Sequence, residues 1–345
     1  MLTQVSVVSS EPAPDMATAP VHVHYRCEGV VKDMMVAARS PTYFEDVVVS
    51  LVQEVLPQIA KPSVKITSAR QLLRWTYHFG RSIGLSALPP RRFSAPVLDT
   101  RGLEPNNMAH LLINIIPYCL YARRILGHDV VFLFRKLGRH FRALLEQFAI
   151  DPRCEPRRGI ASVVKIRGTR GLALYDLPGT FDCFGIHFFP RIYSGMAFER
   201  RAPEKIFLAR RGARRLQNHA EIEALASSHG YSTIYMEDYS IRDQMCIGAH
   251  ARHVIALHGA AMAFLVFGDR MESVVEVMPP SNYNQIFPVC LAGRVGRYDQ
   301  IIPEYDPRVV HSGWSAIEAE KNRPFSLDPG LLETVLSGAQ GGTHG

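Results

Sequence analysis

Residues 253–261 read H-V-I-A-L-H-G-A-A, and the fold is decided there. Val254–Leu257 is an unbroken apolar run of strand length, the pattern of a strand covered on both faces. It delivers His258-Gly259-Ala260 straight into a second apolar segment, Ala260–Phe267, of helical length. A strand that turns so tightly into a helix presents backbone N–H groups at the sheet edge, where they and the helix dipole favour an anion. Gly259 permits close approach of the backbone. Upstream, K-I-F-L-A-R-R-G-A-R-R-L-Q-N at 205–218 is a strand running into Arg210, Arg211, Arg214 and Arg215. Guanidinium forks suit phosphate oxygens, and the carboxyl edge of a parallel sheet is where such folds bind ligands. The combination suits a diphosphate.

Strand and helix patterns alternate outward from this point. Lys205–Ala209 is read as a strand, Ala220–His229 as a helix closed by Gly230, and Tyr231–Met236 as a strand. Helix Ile241–Ala249, strand His253–Leu257, helix Ala260–Phe267, strand Ser273–Val277 and helix Tyr283–Leu291 follow. The first half alternates too, with strand 93–99, helix His110–Leu126, strand Asp129–Leu133 and helix Arg139–Phe148. Alternation of this kind predicts parallel sheets. The expected organisation is a disordered segment 1–20, an α/β lobe 21–170, a linker 171–204, a second Rossmann-like lobe 205–312 and a tail 313–345 with a short helix.

The 345 residues carry a net charge of +7, contributed by arginine clusters at 123–142, 153–170 and 200–215. A basic balance attracts phosphates, nucleic acid or anionic lipid without choosing among them. No stripe of interleaved aromatics accompanies the arginines, which argues against nucleic acid. The six cysteines form no C-x-x-C pair, so no zinc ribbon is expected, and they read as reduced thiols. The first residues lack the pattern of a secretory signal, and the longest apolar stretches fall short of a membrane span. The expectation is a cytoplasmic protein able to work at the inner face of a membrane, with peripheral association.

Three further residue groups bear on chemistry. Glu276 lies within the apolar strand V-V-E-V and must find hydrogen-bond partners, for which a ribose diol is one source and the backbone another. Asn218 opens a helix, as its cap or as a sugar contact. In N-N-M-A-H-L-L-I-N-I-I-P, Asn107 and His110 start a helix and Asn114 follows a turn after His110. A histidine there is a candidate general base for an acceptor hydroxyl, although a lone histidine is more often satisfied by local backbone. No D-x-D motif sits in a suitable loop; the pair Glu237-Asp238 lies between strand and helix and reads as a cap.

In the order of these motifs the chain resembles glycosyltransferase family 61 over about 105–300. The family's run is an arginine-rich strand end, N-E-x-E-L, a G-F/Y segment, a Gln opening a helix, V-I-G-x-H-G-A-G and a V-I-E-x-x-P strand. It is kept here by Arg210, Arg211, Arg214, Arg215, Asn218, Glu221, Gly230-Tyr231, Gln244, His258-Gly259-Ala260, Glu276 and Pro279. The first-lobe pattern N-x-x-H-x-L-x-D-x-L-P is matched by Asn107, His110, Leu112 and Pro117. Departures are His219, Ala261, Phe264 and, above all, Asn114 where the family has Asp.

The resemblance implies an α/β fold of two Rossmann-like lobes facing a cleft, the GT-B architecture. It also implies inverting transfer from a nucleotide-sugar, with UDP as the carrier, to a glycan or glycolipid, with no metal or other cofactor. The donor would be met by Arg210, Arg211, Arg214, Arg215, Asn218, Gln244, His258, Gly259, Ala260 and Glu276. His110 would be the base, with Asn107 and Asn114 on the acceptor side, because an amide at 114 accepts no proton. The alternative is a degenerate relative that binds nucleotide or glycan as a scaffold.

Overall fold

The computed structural model describes residues 5–12, 20–27, 30–37, 44–55, 69–101, 103, 105–127, 129–168, 193, 196–198, 201–280, 282–283, 286–291, 293–303, 315–316 and 322–340. The chain divides into two compact α/β units, residues 1–13 with 43–170 and residues 14–42 with 171–345. Each is built on a sheet with parallel strands, the two-lobe Rossmann-like organisation that the sequence implies.

The first unit's described strands are β1 (Val5–Pro12), β4 (Phe44–Val55), β5 (Arg91–Arg92), β6 (Val97–Asp99), β7 (Val131–Phe134), β8 (Pro152–Cys154) and β9 (Gly159–Gly168). They are ordered β1-β4-β9-β6-β7-β8, with β5 beside β9. The β9-β6-β7-β8 part is parallel, and β4 and β1 extend it antiparallel. Residues 5–12 therefore form a strand where disorder was expected; V-S-V-V-S-S alternates closely enough to pair. Within the first lobe, residues Gly159–Gly168 form the ten-residue β9. Much of the expected linker, 171–204, lies outside the described residues.

Helices α1 (Ala69–Ala87), α2 (Met108–His110), α3 (Ile116–Leu126) and α4 (Arg139–Glu146) complete this unit. Between α2 and α3 the run widens into a π-helical turn, Leu111–Ile115. Pro117 explains the widening, since it has no N–H to donate and its ring crowds the preceding turn.

The second unit's main sheet contains β2 (Pro20–Cys27), β3 (Val30–Ala37), β10 (Lys205–Leu208), β11 (Ser232–Ile234), β12 (His253–Leu257), β13 (Met271–Val277) and β15 (Val295–Ile302). A separate short pair joins β14 (Asn282–Tyr283) to β16 (Ser315–Ala316). Order in the main sheet is β11-β10-β12-β13-β15-β2-β3, all parallel except the final β2–β3 pair. Taken in order of appearance, the first five strands run 2-1-3-4-5. The topological switch point of such a sheet lies between its first and third strands, here β10 and β12. Residues 21–37, expected in the first lobe, pair instead at the far edge of this sheet.

Helices α5 (His219–Ser228), α6 (Ile241–His250), α7 (Ile286–Cys290) and α8 (Pro329–Gln340) belong here, with a 3-10 helix over Ala260–Phe267. One face of the sheet buries Phe207, Ile255, Leu257 and Val275 against Ile222 and Ala226 of α5 and Leu332 and Val335 of α8. The tail is thus part of the core. At roughly 25 cal/mol per Å² of apolar surface removed from water, such a strip holds it firmly.

Candidate functional site

At the switch point β10 ends at Leu208 and β12 at Leu257, so Arg210 and His258 emerge side by side from neighbouring strands. Arg210 Nη1 donates to the carbonyl of His258 at 3.0 Å and ties the two strand ends together. Gly259 makes this possible: a Cβ there would collide with Arg210 Nη1, and the glycine's extended backbone needs no special conformational freedom. The amides that open the 3-10 helix at Ala260 have no carbonyl within that helix to bond. The remaining guanidinium N–H groups of Arg210 have no hydrogen-bond partner among the described residues.

His258 is anchored from below. Its Nδ1 lies 2.6 Å from Glu276 Oε1, and its ring packs edge-on to Phe287. The other carboxylate oxygen of Glu276 accepts from Tyr298 Oη at 2.9 Å and Gln300 Nε2 at 2.7 Å. Glu276 pairs in register with Gln300, and Tyr298 lies two residues away on the same face of β15. Glu276 is 0% exposed. Its oxygens are taken, so it holds the imidazole rather than a ribose, and an acceptor-only carboxylate assigns the ring proton to Nδ1. His258 itself is buried: it serves the edge by holding Arg210 through its carbonyl.

Arg214 stands close enough to Arg210 for the two charges to repel. Burial first, and then that repulsion, push its guanidinium down to about 10. Burial likewise depresses Arg210, opposed by the exposed carboxylate of Glu237. Arg214 has a left-handed backbone, φ 59°, and its Nε is buried without a partner among the described residues. Two partly buried like charges with donors to offer are chemically suited to an anion.

The loop bearing these arginines is strapped by the tail. Arg214 N donates to Asn322 O, Phe325 N to Arg215 O, and Gln217 N to Phe325 O. Asn218 joins the strap, with Nδ2 donating to Leu327 O at 2.8 Å and Oδ1 accepting from Leu327 N at 3.2 Å. It makes no side-chain cap on α5. Arg215 is exposed beside the strap. Arg211 turns elsewhere: it grips Asp238 with both Nη atoms, at 2.6 and 2.8 Å, over the face of Tyr235. Asp238 is therefore an arginine partner, while Ser240 caps α6 by accepting from Asp243 N. Gln244 is buried on α6 and donates to Tyr239 O at 2.9 Å, a loop support.

In the first unit, Asn107 caps α2 through Oδ1, which accepts from Ala109 N at 3.0 Å. His110 is half-buried at the end of α2, at the border of the π-helical turn, and Asn114 is buried inside that turn. Such turns recur at functional sites. Sequence reasoning missed Tyr298, Gln300 and the strap 322–327. The polar residues of R-Y-D-Q-I-I, set in an apolar strand, were the available signal for the first two.

The family model described as Glycosyltransferase 61 matches residues 51–280, two thirds of the chain. No curated protein matches it significantly.

Proposed function

The chain belongs to glycosyltransferase family 61; on that premise we propose that it moves a sugar from a UDP-linked donor to a glycan or glycolipid acceptor in one inverting displacement. The observation that supports this reading is the Arg210–Arg214 pair at the β10/β12 switch point, partly buried and bonded to no carboxylate among the described residues. Charge develops on the departing diphosphate in the transition state, and preorganised guanidiniums and helix-opening amides are worth most there. They supply the role a divalent cation plays in other transferases, so the proposal carries no metal requirement. His110 is the proposed base, since the acceptor hydroxyl must lose a proton and residue 114 is an amide.

The test is UDP release across a panel of donors, with the wild type and Arg210→Ala. Turnover should fall at least ~100-fold in the variant; undiminished release removes Arg210 from the mechanism. Asn114 motivates a second reading, a scaffold that binds nucleotide without transfer. Saturable UDP binding with no release from any donor would favour it.

A further inference from the structure

We propose that α1 lies flat on an anionic lipid bilayer and seats the chain there. Leu72, Leu73, Tyr77 and Ile83 of this helix are 48%, 71%, 64% and 54% exposed. With Leu88, just beyond its end, they are five of the six large hydrophobic side chains exposed among the described residues. A helix that supports a globular core turns its apolar residues inward; Leu72, Leu73, Tyr77 and Ile83 of α1 are exposed instead. At about 100° per residue, the exposed positions among the described side chains of α1 fall within a single arc, and that arc holds no charged residue. By their spacing Arg70, Arg74 and Arg81 share the adjoining stripe.

The surroundings decide the occupant. Residues 55–98 contain seven Lys and Arg and no Asp or Glu. An uncharged apolar arc edged by arginine is the pattern of a helix that rests at the headgroup boundary. The acid-free segment complements anionic headgroups, each basic residue near the surface adding to attraction. A second copy of the chain would bring the arginines of its own α1 against these, which opposes self-association through this face. With three arginines in 19 residues, α1 is built to lie on a bilayer rather than cross one. The proposal stands apart from the donor-site reading, because no residue of the second unit enters it.

Vesicle flotation of the full chain tests it, on phosphatidylcholine alone and on phosphatidylcholine with phosphatidylglycerol. Three proteins are compared: the wild type, a variant with Leu72→Gln, Leu73→Gln and Tyr77→Gln, and one with Arg70→Gln, Arg74→Gln and Arg81→Gln. Cooperative thermal melting and gel filtration, without nucleotide, check that each variant folds. Wild type should float with the anionic vesicles and release at high salt. The arginine variant should lose on the order of 100-fold in partitioning to them, and the apolar variant should stay at the bottom of the gradient with both. Wild type that ignores anionic vesicles overturns the proposal, as does equal partitioning of all three proteins. A dimer abolished by the apolar substitutions assigns the face to a second copy and overturns it as well.

Discussion

Glu276 grips His258 from inside the sheet at 2.6 Å, while the carbonyl of the same histidine holds Arg210 at the edge. A wholly buried carboxylate and a half-buried cation are thus joined through one residue, and packing in β13 and β15 reaches the guanidinium. Three donors converge on two carboxylate oxygens. Glu276→Gln keeps the shape but replaces one oxygen with an amide donor, so at least one donor faces another. We expect a loss of about 1–3 kcal/mol in urea unfolding. An unchanged midpoint would show that the network contributes nothing.

Gly259→Ala separates structure from binding. The added methyl meets the far end of a flexible side chain, so Arg210 swings off the His258 carbonyl and the core is untouched. The melting temperature should stay within about 1–2 °C, while UDP affinity falls roughly tenfold. Loss of both, or of neither, contradicts this placement of Arg210.

Arg214→Met should stabilise the ligand-free chain and weaken its hold on UDP. A base held down at about 10 in the folded chain pays for its charge throughout the range below that pH. The unfolded chain holds the proton more tightly, so the deficit relative to the Met variant is constant up to pH about 10 and shrinks above it. Melting near neutral pH should rise by about 1–3 °C in the variant, and added pyrophosphate should lift the wild type more than the variant. A variant that melts lower than wild type would refute the repulsion.

The first unit has its own electrostatic anchor in Glu155. Burial pushes its carboxyl up, but hydrogen bonds from Arg157 and Arg91 outweigh burial and hold it at about 2. Because the folded value lies below the ordinary 4.5, the contribution is complete above pH 4.5 and is lost as pH falls toward about 2. Allowing for the exposure of both arginines, it amounts to roughly 1–2 kcal/mol. Glu155→Gln should melt lower than wild type near neutral pH and converge with it in acid. A constant gap across that window would rule out this linkage.

The parallel core was legible because strands buried on both faces must be apolar throughout, as V-I-A-L and K-I-F-L are. Strand His253–Leu257 matched residue for residue. What stayed hidden depends on distant pairing. Nothing local to P-V-H-V-H-Y-R-C says that it joins β15, nearly three hundred residues on. Nor does F-S-L show that Phe325 and Leu327 strap the arginine loop. At the site, the strand-end placement of Arg210 and His258 could be read from the pattern. The partner of each side chain could not: Arg211 and Arg214 look alike in sequence, yet one is spent on Asp238 and the other is left with an unsatisfied Nε among the described residues.

Calorimetric titration of UDP into the wild type and Arg210→Ala tests the proposed diphosphate site most directly. The account predicts saturable uptake by the wild type and an affinity at least about tenfold lower in the variant. No uptake by the wild type, or equal affinity in both proteins, would contradict it.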